Sequence, residues 1–342
     1  MRIAIVTDAW APQVNGVVRT LQSVTAELRA MGHEVNVVSP DLFASVPCPT
    51  YPEIRLALPA PGAVGRALGG FRPDAVHIAT EGPLGLLARR WCLSHGLPFT
   101  TAYHTQFPEY VAARVKAVSP ELVWRYVRWF HTPSTAILAS TPSVAATLAA
   151  HGLPQNRHWG RGVDTTLFRA EGRRDAMVAR LPGPVQLYAG RVAVEKNIAA
   201  FLETRTPGTK VVVGDGPARA ALAEQYPEVR FLGAKFGEDL AAVYRTADVF
   251  VFPSRTDTFG LVMIEALACG TPVAALPVQG PLDVLSPAVG VMNEALNRAI
   301  AGALTLDRTT CAAFGQGFSW RASAEQFLAA LAPIHRDLKV AA

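Results

Sequence analysis

Cysteine is scarce in this sequence, and long apolar runs are missing. The four cysteines (Cys48, Cys92, Cys269 and Cys311) are far apart and form no CxxC pair. A disulfide framework or a zinc site is therefore not expected, and the spacing fits a reducing cytosol. No run of about 18 apolar residues is present to span a bilayer, and the apolar start is too short for a secretory signal. The sequence thus predicts a cytoplasmic protein that contacts membranes only peripherally.

Charge is also modest, with charged residues at 17% and a net charge of +5 over 342 residues. Half of the residues are apolar, which excludes a disordered chain and is enough for two domains. A small positive excess suits an anionic partner, whether a phosphate-bearing substrate, an acidic membrane surface or nucleic acid. Charge alone does not distinguish these three partners.

Short β-rich runs alternate with helical patterns along the whole chain. The first series is Arg2–Val6, Glu34–Val38, Asp74–Ala79, Pro98–Tyr103 and Thr135–Ala139. The second series is Val185–Ala189, Lys210–Val213, Val229–Leu232, Asp248–Phe252 and Pro272–Leu276. Continuous apolar strands linked by helices form parallel sheets, so the fold class is α/β. The restart predicts two Rossmann-like domains, 1–164 and 165–342, facing each other across a cleft, with the last helix returning to the first domain.

No GxGxxG fingerprint follows the first strand of either half, which disfavours a nicotinamide dehydrogenase. The first loop, Asp8–Gly16, instead ends in a single glycine before a helix. Gly16 allows close approach of the backbone to a ligand, and the helix N-terminus offers N–H groups to an anion. An ordinary βα turn also fits this loop.

The second half carries a basic pair where a strand passes into a helix. Arg191 follows the strand directly, and Lys196 precedes the next helix, so the two cations could hold one diphosphate. Gly214, after the following strand, permits close approach to a base or a phosphate. Read one at a time, the basic pair also fits a solvated surface and Gly214 also fits an ordinary turn.

Two carboxylates lie eight residues apart in the densest polar segment, between Pro253 and Gly270. Asp257 is in a loop and Glu265 is about one turn into a helix, which suits the hydroxyl groups of a sugar and a ribose. Phe259, Gly260 and Leu261 lie between them. A capping aspartate and a solvated glutamate are the alternative, but the apolar surroundings of Glu265 argue for a buried, paired carboxylate.

In the first half, His104 directly follows a strand, where a histidine is well placed to contact a reacting group. A structural histidine fits the same position.

Together these segments resemble the retaining GT-B glycosyltransferases of the family that contains bacterial mannosyltransferases and the sulfoquinovosyl- and glycosyl-diacylglycerol synthases. The segments similar to family motifs are Asp8–Gly16, Tyr103–Pro108, Arg161–Asp164, Gly190–Lys196 and Asp257–Glu265, in the family's order. The resemblance implies that Gly16 approaches the donor phosphate, and that Arg191 and Lys196 hold the diphosphate. It also implies that Glu265 binds the ribose, Asp257 the transferred sugar, and that His104 lies near the anomeric carbon. No metal or cofactor is expected beyond the nucleotide-sugar co-substrate.

One departure bears on the donor. The first carboxylate of the family's E-x7-E motif is the shorter Asp257 here, which leaves the sugar open. By resemblance, UDP-glucose or UDP-glucuronate is the first expectation and GDP-mannose the alternative. A nucleotide-sugar epimerase is a further alternative from another class.

The segment after His104 is both basic and aromatic, which fits an acceptor site at an anionic membrane surface. The residues concerned are Tyr110, Arg114, Lys116, Trp124, Arg125, Arg128 and Trp129. Core packing with solvated arginines is the alternative. With relatives that glycosylate diacylglycerol, the expected partners are a nucleotide-sugar and a membrane lipid, on the cytoplasmic face of the inner membrane. Nucleic acid is not expected, because that reading leaves the basic pair and the carboxylates unexplained.

Overall fold

Two compact units make up the chain. The computed structural model describes residues 1–13, 15–48, 51–104 and 119–334. The N-terminal unit comprises Met1–Gly160 together with the chain from Trp320 onward, and the C-terminal unit is Arg161–Ser319. The sequence places the boundary at residue 164, whereas the chain crosses after residue 160 and returns at residue 320.

The N-terminal unit contains a six-stranded parallel sheet. Its strands are β1 (Arg2–Val6), β2 (Glu34–Val38), β5 (Ala75–Ile78), β6 (Thr100–Tyr103), β7 (Ala136–Ala139) and β8 (Asn156–His158). Their spatial order is β2-β1-β5-β6-β7-β8. An antiparallel pair, β3 (Ser45–Cys48) and β4 (Tyr51–Ala57), lies outside this sheet. The helices are α1 (Gly16–Ala30), α2 (Ala63–Phe71), α3 (Pro83–Ser94), α4 (Pro120–His131), α5 (Pro142–Ala150) and, after the return, α13 (Trp320–Ala330).

The C-terminal unit repeats the plan with a second six-stranded parallel sheet. Its strands are β9 (Val185–Ala189), β10 (Thr209–Val213), β11 (Arg230–Gly233), β12 (Val249–Phe252), β13 (Val273–Ala275) and β14 (Gly290–Met292). Their spatial order is β11-β10-β9-β12-β13-β14. The helices are α6 (Ile198–Leu202), α7 (Arg219–Gln225), α8 (Gly237–Thr246), α9 (Leu261–Ala268), α10 (Pro281–Val284), α11 (Leu296–Ala303) and α12 (Arg308–Gln316).

The ten predicted strands are confirmed to within two residues at each end. They were visible because they are apolar runs: every residue of β5, β6, β7, β9 and β12 is buried. The sequence missed β3, β4, β8 and β14. Strand β8 is a polar edge strand of three residues, and Pro47 and Pro52 interrupt the hairpin pattern of β3 and β4, so neither shows the apolar signal.

Asp8, at the end of β1, caps a helix that is distant in sequence. Its carboxylate accepts hydrogen bonds from the Leu84 N–H at 2.8 Å, the Gly85 N–H at 3.3 Å and the Thr80 hydroxyl at 2.8 Å. It thereby supplies the acceptor that Gly82, the N-cap of α3, lacks. The Asp8 carboxylate is therefore committed to holding α3 against the sheet.

His77 is a buried, neutral histidine of β5. Its Nδ1 lies 2.9 Å from the Thr100 hydroxyl, and its ring packs edge-on against Trp159 and Phe327. Burial lowers the pKa of His77 from 6.5 to about 3. The unfolded chain therefore takes up a proton below pH 6.5 that the folded chain does not accept until about pH 3. The stability that depends on this group is complete above pH 6.5 and is lost as the pH falls.

We expect the free energy of unfolding of the N-terminal unit to fall by about 1.4 kcal/mol per pH unit between pH 6 and pH 4 through His77 alone. The slope should be smaller by this amount in His77→Gln. Tryptophan fluorescence during urea unfolding measures it selectively, because all six tryptophans lie in this unit. Unfolding at pH 8, where His77 is neutral in both the folded and the unfolded chain, measures the pH-independent loss of stability that the substitution causes. Equal slopes in the two proteins between pH 6 and pH 4 would contradict the prediction.

Candidate functional site

Three neighbouring strands of the C-terminal unit end at the same edge of its sheet. Strands β10, β9 and β12 are adjacent and parallel, and the loops that follow them contain Gly214, Arg191 and Asp257. Ligands of open α/β sheets bind at the carboxyl edge of the strands. The structure thus brings the predicted donor-binding loops together.

Lys196 and Asp257 form the central contact of this edge. The Lys196 Nζ lies 2.5 Å from the Asp257 Oδ1, and both side chains are 25% exposed. Asn197 ties the same two loops together, because its amide donates a hydrogen bond to the Pro253 carbonyl at 3.0 Å. A cation and a carboxylate are therefore held at the surface of one site, each within reach of a ligand.

Tyr188 is a residue of this site that sequence reasoning missed. It is buried in β9, and its hydroxyl donates a hydrogen bond to the Arg191 carbonyl at 2.7 Å. Burial, together with the negative charges of Asp257 and Glu195, raises the pKa of Tyr188 well above its ordinary value. Tyr188 therefore acts as a neutral donor that fixes the backbone of the Arg191 loop. Because Tyr188 lies inside a buried strand, no feature of the sequence distinguishes it from a residue of the hydrophobic core.

Gly214 and Gly216 allow two loops of the site to touch. A Cβ atom on Gly214 would lie 1.8 Å from the Gly190 carbonyl oxygen, and one on Gly216 would lie 2.4 Å from the Val192 oxygen. Gly214 also has a φ of 136°. The sequence predicts that Gly214 approaches a ligand, whereas the structure shows its close approach to the neighbouring backbone.

The turn from β12 into α9 is equally crowded. Gly260 has a φ of 82°, and a Cβ on Gly280 would lie 2.7 Å from the Asp257 carbonyl oxygen. Phe259 is 8% exposed and Leu261 is the first residue of α9. These contacts hold the Asp257 loop in one conformation.

Glu265 lies in α9, as predicted, and is 3% exposed. Its Oε2 accepts a hydrogen bond from the Tyr244 hydroxyl of α8 at 3.3 Å. The expectation of a buried, paired carboxylate is confirmed, and the alternative of a solvated glutamate is wrong. The partner could not be foreseen, because Tyr244 belongs to a different helix.

The helix that follows Lys196 is short. Val194–Lys196 form a 3₁₀ turn, Asn197 is left-handed with a φ of 54°, and α6 has only five residues. Such a short helix adds little dipole to an anion site. The positive character of the site comes from the side chains of Arg191 and Lys196.

In the N-terminal unit, His104 and Gly16 follow strands β6 and β1 at the carboxyl edge of the sheet. His104 follows β6, and its ring lies 5.4 Å from that of Trp159 in an edge-on arrangement. Gly16 is the first residue of α1, and the two N–H groups that follow it are capped. The Asn15 side chain accepts hydrogen bonds from the Val17 and Val18 N–H groups, each at 3.0 Å.

Helix α4 begins at the predicted position, capped by Ser119. Trp124, predicted to lie at the acceptor or membrane surface, is 3% exposed and stacks on His151 with ring centroids 3.6 Å apart. That part of the prediction is wrong, because Trp124 faces the core. Arg125 is exposed, Arg128 is half-buried, and Trp129 is 52% exposed. Tyr110, Arg114 and Lys116 lie outside the described residues.

Leu122, Arg125 and Trp129 share one exposed side of α4, which we call the α4 outer face. Leu122 and Trp129 are each 52% exposed. The Arg89 guanidinium lies 4.1 Å from the Trp129 ring centroid and donates a hydrogen bond to the Trp129 carbonyl. The indole is therefore held in place while much of its surface remains in solvent.

Within the part of the chain that the structure describes, no helix is both long and apolar enough to cross a bilayer. No group of three His, Cys, Asp or Glu side chains within 1–13, 15–48, 51–104 and 119–334 is arranged to hold a metal ion. Cys92, Cys269 and Cys311 are buried free thiols.

Comparison with known proteins extends over both units. Residues 14–167 match the family model described as Glycosyltransferase Family 4, and residues 183–305 match that described as Glycosyl transferases group 1. A GDP-mannose-dependent alpha-mannosyltransferase of Mycolicibacterium smegmatis is 34% identical over 311 residues, which cover 84% of this chain and 82% of the relative. An alpha-monoglucosyldiacylglycerol synthase of Streptococcus pneumoniae is 27% identical over 312 residues, which cover 80% and 71%.

The fold is shared with solved structures. A sucrose-phosphate synthase from Thermosynechococcus elongatus superposes with a TM-score of 0.75 over 96% of this chain and 97% of that chain, at 23% identity. With both sheets and both family matches in place, the chain belongs to glycosyltransferase family 4 and has the GT-B fold of two Rossmann-like domains.

Proposed function

We propose that this glycosyltransferase moves a hexose from a nucleotide-sugar to a hydroxyl group of a membrane lipid, with retention of anomeric configuration and without a metal ion. The observation that carries the proposal is the Lys196–Asp257 contact at the edge shared by β9 and β12. It joins a group that attracts phosphate to a group that accepts hydrogen bonds from sugar hydroxyls.

In this proposal, the C-terminal unit holds the donor. Lys196 and Arg191 bind the diphosphate and stabilise the negative charge that grows on it as the bond to the sugar breaks. Asp257 accepts hydrogen bonds from the sugar and Glu265 from the ribose, while Phe259, Gly260 and Leu261 shape the loop between them. The bond between the anomeric carbon and the phosphate oxygen breaks as the bond to the acceptor oxygen forms. The acceptor proton passes to the leaving phosphate, and His104 lies beside the anomeric carbon.

GDP-mannose is the donor we place first. The relative at 34% identity is named for this donor. A UDP-hexose is the second candidate, since the Streptococcus pneumoniae relative is named as a glucosyldiacylglycerol synthase.

A lipid acceptor is supported by the α4 outer face. An exposed tryptophan and an exposed leucine on one side of a helix, with Arg125 between them and Arg128 nearby, suit the interface of an anionic membrane. We propose that this face rests on the lipid surface from which the acceptor is taken.

Neutralising both arginines in an Arg125→Gln, Arg128→Gln variant should weaken binding to phosphatidylglycerol-containing vesicles roughly tenfold or more, since each surface arginine contributes about 1 kcal/mol there. Co-sedimentation measures the affinity. Arg157→Gln removes one positive charge from an exposed position on β8 and is the matched control. Vesicle binding that is unchanged in the double variant would contradict the membrane role of α4.

A donor panel tests the proposed function. GDP-mannose, UDP-glucose and UDP-glucuronate are each incubated with the protein and dioleoylglycerol in phosphatidylglycerol vesicles, with and without EDTA. Nucleotide release and labelled lipid are read together, and the anomeric configuration of the product is determined by NMR. Release without a glycolipid, or conversion of the donor to an isomer without acceptor, would contradict transfer and favour hydrolysis or epimerisation.

A further inference from the structure

A carboxylate–histidine pair occupies the carboxyl edge of the N-terminal sheet. Glu81 follows β5, and its Oε1 lies 3.2 Å from the Nε2 of His131, the last residue of α4. The His131 side chain is fully buried, whereas that of Glu81 is 19% exposed. The buried imidazole of His131 thus contacts the Glu81 carboxylate on its inner side, while the Glu81 side chain remains partly exposed to solvent.

Further contacts hold both members of the pair in position. The His131 Nδ1 lies 2.8 Å from the Thr101 hydroxyl. The Tyr126 hydroxyl donates a hydrogen bond to the Glu81 carbonyl. With its backbone and one carboxylate oxygen both held, Glu81 presents a preorganised hydrogen-bond acceptor at a fixed point.

Glu81 lies beside the histidine that was predicted to be near the reacting atoms. Strands β5 and β6 are neighbours, with Ile78 paired to Thr101. Glu81 and His104 are each three residues further along, so they leave the sheet side by side. Sequence reasoning passed over Glu81 because a lone glutamate before Gly82-Pro83 looks like a solvated turn residue.

Asp8 and Glu81 place two carboxylates close together. Both carboxylates act on the Tyr126 hydroxyl, together with the Arg89 cation. The neighbouring Asp8 is turned inward to cap α3, and burial raises its pKa, with the charge of Glu81 adding to the effect. Burial and then the charges of Glu81 and Asp8 raise the pKa of Tyr126 to about 12. An anionic ligand group is disfavoured here, whereas an uncharged hydroxyl group donates a hydrogen bond to such a carboxylate without repulsion.

We propose that Glu81 binds an uncharged hydroxyl group of the acceptor through its exposed carboxylate oxygen, and that His131 is the residue that positions Glu81. This inference rests on the proposed transfer reaction and names a residue that binds its acceptor. It assigns the N-terminal unit a binding group for neutral alcohols or polyols, as distinct from the cationic diphosphate site of the C-terminal unit.

Steady-state transfer to dioleoylglycerol in vesicles, with the donor that the panel selects, tests this assignment. Glu81→Gln keeps the size and an oxygen for His131 but loses the charge, and Glu81→Asp withdraws the carboxylate by one methylene. Each should raise KM for dioleoylglycerol about tenfold or more, because a hydrogen bond to a charged group is lost or weakened. The affinity for GDP or UDP, measured by calorimetry, should stay within about twofold of the wild type. Glu325→Gln, an exposed glutamate of the same unit, is the matched control.

His131 is tested by comparing two replacements. His131→Gln retains an N–H donor for Glu81 and should give a smaller rise in acceptor KM than His131→Leu. Tryptophan fluorescence reports whether the unit remains folded. A lower unfolding temperature in His131→Leu with an unchanged acceptor KM would reduce His131 to a structural residue and overturn the positioning role.

The possible outcomes distinguish a failure of the Glu81 assignment from a failure of the proposed transfer reaction. Transfer by the wild type, together with an unchanged acceptor KM in folded Glu81→Gln and Glu81→Asp, overturns the inference alone. An equal loss of nucleotide affinity in those variants also overturns it. No transfer by the wild type to any lipid overturns the proposed function, and this inference with it.

Discussion

Replacing Lys196 with alanine is expected to lower kcat/KM for sugar transfer about 100-fold or more. The Lys196 side chain is 25% exposed and its ammonium nitrogen lies 2.5 Å from the Asp257 carboxylate, so it is positioned for a phosphate group that arrives at the same edge. Its charge matters most in the transition state, when the leaving diphosphate gains negative charge. Arg191→Ala should cause a loss of similar size for the same reason.

The fold should survive this substitution, because a partly exposed ion pair contributes little to stability. Initial rates with the selected donor and dioleoylglycerol, together with GDP or UDP affinity by calorimetry, measure the effect. Arg230→Ala removes one positive charge from an exposed position on β11 and should be without effect. Turnover at the wild-type rate in folded Lys196→Ala or Arg191→Ala would remove the diphosphate site from the proposal.

Placing alanine at Gly214 is expected to destabilise the C-terminal unit by about 3 kcal/mol or more, through backbone strain and overpacking together. The new Cβ would lie 1.8 Å from the Gly190 carbonyl oxygen, and this neighbour is backbone that cannot rotate away. The φ of 136° adds strain for any side chain. Because Gly190 immediately precedes Arg191, any shift that relieves the clash also moves Arg191 and with it the proposed diphosphate site.

Gly237→Ala separates the two causes in the same unit. Gly237 has a φ of 53° but has no atom within 4 Å of the position that a Cβ would occupy, so this variant experiences backbone strain without a clash. We expect a loss of about 1 kcal/mol from it. Urea unfolding followed by far-UV circular dichroism measures both variants. A Gly214→Ala protein no less stable than Gly237→Ala would show that the two loops are not in close contact.

Much of the site could be found from local sequence patterns. Arg191 and Asp257 each follow an apolar run of the C-terminal unit and His104 follows one of the N-terminal unit, and within each parallel sheet such positions collect at the carboxyl edge. The burial of Glu265 was also foreseeable, because an apolar helix segment surrounds it. These inferences succeed because strand periodicity and the position of a loop after a strand are properties of a few consecutive residues.

Other parts of the site depended on contacts between distant segments. Trp124 belonged to a basic and aromatic segment, but the direction of each side chain on α4 was set by what the helix packs against. Gly214 is predicted to approach a ligand, and only the structure shows that the loop after β9 lies against its Cβ side. No local sequence pattern distinguishes Glu81, because its proposed role depends on His131 at the C-terminal end of α4.

The sequence by itself determined that two α/β units follow one another and that polar loops end their strands. Apolar runs, glycines and helix caps act locally, and their effects require no partner elsewhere in the chain. Only the tertiary structure decided that Lys196 meets Asp257, 61 residues away, and that Glu81 meets His131, 50 residues away. The pairing of β12 with β9 brought Lys196 to Asp257, and the packing of α4 against β6, where His131 contacts Thr101, brought His131 to Glu81. Both arrangements depend on packing over the whole sheet.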